Sequence, residues 1–299
     1  LIKGLIVTAD DFGAAPEVNA AVETAHRDGI LSAASLMVAA PAAKDAVALA
    51  NRLPGLRVGL HIVLVEGRPV LLPSRIPDLV DASGQFRTDM AMTGARMFFL
   101  PHVRRQLTAE ITAQFEAFRA TGLALDHVNA HKHFHLHPTI ANTILRIGRR
   151  FGMTGLRVPR EPRAVIDAVA SNSPVSPPQG EGGRVRGNGG GLESLAHLFA
   201  ARLARRMRGQ GLLVPDRVFG LRWSGAMTRD RLLGLIGRLP DGLSEIYLHP
   251  ATGSYPGSAP GYRYAEELAA LTDPAVVAAA SGFARGGFAD FQGGKSRAA

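Results

Sequence analysis

Short apolar runs recur along this chain, and most are followed by a stretch with helical spacing. Leu5–Ala9, Gly29–Val38, Val58–Leu64, Gly155–Arg160, Arg217–Leu221 and Ser244–Leu248 read as strands, and a further strand is expected around His131. Pro16–Arg27, Pro41–Arg52, Leu107–Thr121, Thr139–Phe151 and Leu195–Arg208 read as helices, and Tyr262–Leu271 and Pro274–Ala280 close the chain. Parallel strands need long crossovers, usually helical, whereas antiparallel strands can be joined by a tight turn. The alternation therefore predicts an α/β fold with a parallel sheet, a distorted (β/α) TIM-like barrel. A chain of 299 residues is long enough for such a domain. We expect a single domain over 1–292 with long loops. Leu71–Met97 is expected to be a loop covering the site. The Ser-, Pro- and Gly-rich stretch 171–192 is expected to be a flexible insertion, and 293–299 a disordered tail.

Several of these runs end in groups that carry chemistry. Leu5–Ala9 ends in Asp10 and Asp11, then Phe12-Gly13. Neighbouring side chains on a strand point to opposite faces, so the backbone must turn if both acids serve one site. Gly13 is where that turn is expected. A helix N-cap explains one Asp but not readily two. His61 lies among aliphatics, and His249 follows Leu248. Between Asp126 and Pro138, His127, His131, His133, His135 and His137 occupy odd positions together with Asn129, whereas Val128, Ala130, Phe134 and Leu136 are even. Period two predicts a strand with one apolar face and one face able to bind metal or protons. At about 3.3 Å per residue, five histidines on one extended strand cannot all reach one ion. A barrel gathers strand ends on one face, so Asp10, Asp11, His61, the histidine segment and His249 are expected to form one site.

Composition narrows the chemistry. There is no cysteine, which excludes disulfides, thiolate metal sites and cysteine nucleophiles and fits a reducing cytoplasm. Histidine and carboxylate ligands remain, and these suit zinc, magnesium or manganese. The net charge of +9 is compatible with contact at an anionic membrane surface. Arginine is scattered, with no helix-turn-helix or aromatic–basic RNA motif, so nucleic acid is not an expected partner. No apolar run is long enough to span a membrane, and Leu1–Val7 is too short for a signal peptide. The absence of Met at position 1 implies that numbering begins inside a longer chain.

The segments Thr8–Gly13, Gly59–Leu64, His127–His135 and Tyr247–Pro250, in this order, resemble the YdjC-like family of carbohydrate deacetylases. Glu66-Gly67-Arg68-Pro69 and the Ala- and Arg-rich character resemble its hopanoid-biosynthesis-associated branch. The resemblance implies a distorted (β/α) barrel that hydrolyses an N-acetyl group of an amino sugar, on a glycolipid in that branch. It implies a divalent ion held by Asp11, His61 and His131, Asp10 as general base and His249 as general acid. Arg157 would orient the base or hold substrate, and His133 and His135 would support the ligands or touch sugar hydroxyls. The chain departs from the family at Asn129, where an acid is common, and at Lys132. Both are expected to alter substrate contacts rather than the metal site. The alternatives are a chitooligosaccharide deacetylase, another metal-dependent hydrolase such as a phosphoesterase, or a non-catalytic binding protein. The enzyme is expected in the cytoplasm, peripherally at the inner membrane face if its substrate is a lipid. A homo-oligomer is compatible with the sequence.

Overall fold

Strand β1, Lys3–Phe12, is buried along nearly all of its length, which is why its first half reads as an apolar run rather than an alternation. This is a computed structural model describing residues 3–171 and 190–294. Strands β2 (Ala33–Leu36), β3 (Arg57–Ile62) and β4 (Val128–Ala130) follow on one side of β1; β5 (Arg217–Phe219) and β6 (Gly242–Leu248) lie on the other. The order across the sheet is β4-β3-β2-β1-β6-β5, and every pairing is parallel. The segment 155–160 fills the gap between the edges. Val128 N donates to Gly155 O and Arg157 N to Val128 O, while Val218 N donates to Arg160 O on the β5 side. The sheet is thus curled into a distorted (β/α) barrel, with 155–160 too irregular to count as a full strand. β7, Ala284–Arg285, pairs with the start of β1.

Helices connect the strands: α1 Pro16–Asp28, α2 Ala43–Asn51, α3 Met90–Phe99, α4 Pro101–Ala120, α5 Pro138–Gly148, α6 Arg163–Ala170, α7 Gly190–Arg208, α8 Arg229–Ile236, α9 Tyr264–Thr272 and α10 Pro274–Ala280. On α4, Val103, Leu107, Ile111, Phe115 and Phe118 recur every three or four residues and are all buried, the stripe expected of a helix packed on a core. Among the described residues no helix is long and apolar enough to cross a membrane.

Several expectations need correction. The histidine strand is only three residues long. From His131 to Leu136 the chain forms a 3₁₀ turn, and Lys132 and His133 take left-handed backbone conformations. The stretch expected as a loop over 71–97 contains a bridge between Val80 and Phe86 and most of α3. Asp89 caps α3 by accepting from Met92 N at 3.0 Å, and Pro101 begins α4 six residues before the expected start. α6, α8 and β7 are further elements that the apolar pattern did not announce. α7 begins at Gly190, inside the stretch read as an insertion. The rest of that insertion, 172–189, and the tail from 295 lie outside the described residues; Gly293 and Gly294 end a 3₁₀ turn.

Candidate active site

The two adjacent acids serve one site because β1 is irregular where they lie. The β1–β2 register shifts between Ala9 and Phe12, and the turn falls at Asp11 itself, with φ 61°, rather than at Gly13 alone. Neither acid caps α1, whose N-cap is Ala15. Asp11, Glu66, Lys132 and His133 are the non-glycine residues with positive φ among those described. Asp11 and His133 lie in the site, and Lys132 pairs with Glu66 at 2.5 Å beside it. Such conformations cost about 1–3 kcal/mol each and persist where surrounding contacts enforce them, typically at functional sites.

Asp11 Oδ1 lies 3.3 Å from His61 Nε2 and 3.2 Å from His131 Nδ1, and the three candidate ligand atoms lie within 4.8 Å of one another. The hydrogen bonds around His61 fix which atom is free. Asn129 Nδ2 donates to Asp10 Oδ1 at 3.0 Å, since a carboxylate can only accept; the Asn129 Oδ1 therefore accepts from His61 Nδ1 at 2.7 Å. His61 Nε2 is buried, has no hydrogen-bond partner, and faces a carboxylate oxygen. Two electron pairs facing each other in a buried site call for a cation between them, either a proton or a metal ion. Two imidazoles and a carboxylate, one imidazole braced through its far nitrogen, form a suitable donor set for a divalent ion such as zinc. Burial alone would depress the His61 pKa; the Asp10 and Asp11 carboxylates outweigh it and raise it above the ordinary 6.5. Metal binding needs this nitrogen unprotonated. Affinity is therefore expected to weaken as pH falls through that raised value, already above 6.5. Metal titrations at several pH values check this; an affinity independent of pH across the neutral range would contradict it.

Asp10 stays outside this donor set. Its Oδ2 accepts from Arg157 Nη1 at 2.5 Å, and Asn129 holds its Oδ1. Burial would push its carboxyl up, but the Arg157 guanidinium, with His61 and His249, holds it far below the usual carboxylate range. Arg157 is fully buried. Its Nε and Nη2 donate to Glu245 Oε1 at 2.9 and 2.8 Å, and its Cζ lies 4.5 Å from the centroid of the Tyr247 ring. Thr8 Oγ1 also donates to Glu245 Oε1.

His249 lies at the end of β6, near the rings of Tyr262 and Tyr247. Its backbone N–H donates to Glu267 Oε2 at 2.6 Å, and burial pushes Glu267 up to about 7. Burial lowers the His249 pKa, a shift the charges of Asp11 and Asp10 only partly offset. His133 Nε2 meets Tyr247 Oη at 2.7 Å, and burial holds its pKa well down. His135 Nε2 donates to the carbonyl of Arg157 at 2.8 Å, and burial pushes its pKa down to about 3. His135 therefore anchors the segment carrying Arg157. His127 and His137 lie outside the metal-ligand group: His127 is bound to Asp126 and Ser35, and His137 packs against Phe98 and Phe134. Glu245, Tyr247, Ser35 and Glu267 were not anticipated. Glu245 leaves a sequence signal as an acid inside an apolar run, and Tyr247 as the first residue of the Tyr247–Pro250 segment.

The YdjC-like protein family matches residues 4–281. A carbohydrate deacetylase of Geobacillus stearothermophilus is 32% identical over 278 residues, 91% of each chain. The chain belongs to the YdjC-like family. A carbohydrate deacetylase of Brevibacillus brevis is 37% identical over 147 residues, 49% of this chain and 56% of that one. Among solved structures, a proposed cellobiose-phosphate cleavage protein of Enterococcus faecalis superposes with a TM-score of 0.69 at 22% identity, covering 95% of this chain and 96% of that one. This match supports the fold assigned to this YdjC-like chain.

Proposed function

We propose that this protein is a metal-dependent deacetylase that hydrolyses the N-acetyl group of an N-acetylglucosamine-type sugar carried on a hopanoid glycolipid. The observation that carries the chemistry is the buried, unpartnered His61 Nε2 facing Asp11 Oδ1, with Asp10 beside it in a separate set of bonds. Asp11, His61 and His131 would hold the ion. When bound, it would supply Lewis-acid polarisation of the acetyl carbonyl and a more acidic water. Asp10, already ionised, takes the proton from the attacking water. His249, in its protonated form, hands a proton to the departing amine, and the proton that Asp10 takes from the water balances the one given up. Arg157 and Asn129 aim Asp10. The carbohydrate deacetylases among its relatives support this reaction class.

Two surface features support the lipid carrier. Met92 and Phe99 on α3 are 60% and 72% exposed, and α3 lies against the histidine turn, with the Phe98 ring 6.2 Å from His137. A groove of about 690 Å³ lined by Phe98 also carries Arg104, Arg146, Arg149 and Arg206. Among the described residues none of these four arginines pairs with a carboxylate. Exposed aromatic and aliphatic side chains beside arginines that no carboxylate neutralises suit an anionic lipid surface.

The test is acetate release from an N-acetylglucosaminyl hopanoid in mixed vesicles and from N-acetylated chitobiose, with metal-stripped enzyme and after restoring zinc, magnesium or manganese. Release from the lipid, dependent on metal, is expected. Release from chitobiose alone would overturn the glycolipid assignment while keeping the reaction. No release from either by folded, metal-loaded enzyme would overturn deacetylation of both substrates.

A further inference from the structure

Below the metal-facing layer, the barrel interior contains a buried Asp126–His127–Ser35 group that the reaction does not use directly. All three residues are at most 3% exposed. Asp126 closes the lower end: its Oδ1 accepts from Ala289 N at 2.8 Å, and its Oδ2 from Phe288 N at 3.0 Å and from His127 Nδ1 at 2.9 Å. Because the carboxylate only accepts, His127 carries its proton on Nδ1. The Ser35 hydroxyl lies 2.9 Å from His127 Nε2 and receives Asn129 Nδ2 at 2.9 Å. Asn129 Nδ2 can only donate, so the Ser35 proton goes to His127. Asn129 Oδ1 then takes the His61 Nδ1 proton at 2.7 Å. Every donor in the series His61, Asn129, Ser35, His127 points the same way, toward Asp126. Room for the His127 ring comes from Gly59: a Cβ there would lie 2.5 Å from the ring. Phe288 stacks on its face with centroids 4.5 Å apart.

We propose that Asp126, His127 and Ser35 are positioning residues which, through Asn129, lock His61 in the tautomer whose Nε2 faces the ion and Asp11, and raise the ligand strength of that nitrogen. A carboxylate behind a metal-bound histidine is a common arrangement. Here the carboxylate lies three hydrogen-bonding groups further back, and bonds aligned in one direction polarise one another. The same chain fixes the Asn129 amide, whose other proton holds Asp10. One buried device thereby aims both a ligand and the base. The inference rests on the metal reading of Asp11, His61 and His131 but not on the identity of the substrate.

Ser35→Ala breaks the chain at its middle with little change in volume. Zinc binding to the apo-enzyme, measured by calorimetry, is expected to weaken about 10- to 100-fold. In the metal-free protein, at a pH above the raised His61 pKa, ¹⁵N shifts of His61 are expected to show loss of the single Nδ1–H tautomer. Thr143→Ala removes a hydroxyl on α5 outside the chain and is expected to leave both unchanged. Ser35→Thr is expected to restore affinity. If Ser35→Ala does not fold, Asp126→Asn removes the charge at the far end and is read in the same two ways. Zinc affinity within twofold of wild type in the folded variant, or a His61 tautomer that does not change, would overturn the proposal. Should the unaltered protein bind zinc yet release no acetate, deacetylation fails while the zinc measurements still decide this inference.

Discussion

Asp10→Asn is expected to lower kcat about 10²- to 10⁴-fold, the usual range for removing a positioned general base, while zinc affinity stays within a few-fold of wild type. The separation follows from geometry: Asp11, His61 and His131 converge, whereas Asp10 is taken up by Arg157 and Asn129. Asn is nearly isosteric with Asp, but its amide cannot accept from both neighbours, so a melting curve must accompany the kinetics. Asp11→Asn provides the contrast, because it removes a ligand charge and is expected to lose metal and activity together. The acid side of the pH profile is informative as well. The Asp10 carboxyl is held far below the usual carboxylate range, so activity lost on mild acidification should follow protonation of His61 and loss of the ion. An Asp10→Asn enzyme that keeps most of its kcat would mean that the base is elsewhere.

What the sequence revealed of this site depended on contrast with its surroundings. Asp10, Asp11, His61 and His249 are polar groups set against apolar runs, and parallel strands gather such ends at one end of the barrel. The histidine segment misleads for the opposite reason. Its period of two is satisfied by a strand, yet β4 ends at Ala130 and the next residues turn. The left-handed conformations of Lys132 and His133 accompany contacts to Glu66 and Tyr247, more than 60 and 110 residues away in the chain. No local pattern encodes those contacts. Asn129 stood out as a departure from its family, but its bonds to Asp10, His61 and Ser35 appear only once the four strands β1 to β4 are side by side. Arg157 and Glu245 find each other across 88 residues, and α3 was hidden because Met90–Phe99 lacks a clean polar face.

The largest expected effect on stability belongs to Arg157. Replacing it with Met keeps an unbranched, apolar stem but removes the positive charge shared by Asp10 and Glu245. Breaking a buried ionic group from one side is expected to cost about 3–5 kcal/mol, since it leaves buried charges without a counter-charge. Here two carboxylates would be stranded, and Glu245 Oε2 already lacks a hydrogen-bond partner. The stacking on Tyr247 is lost as well. The sign of the pH dependence distinguishes this from a simple packing defect. In the wild type the depressed Asp10 pKa adds stability that is present above the unfolded value of about 3.8 and fades as pH falls below it. Without Arg157 the burial of Asp10 is unopposed by its main partner, so its pKa should rise and protonation should relieve the folded state. The deficit of Arg157→Met, measured by denaturant unfolding, is therefore expected to shrink between pH 7 and pH 5. Adding Glu245→Gln should recover part of it at pH 7. A deficit independent of pH and unaffected by the second substitution would assign the loss to packing alone.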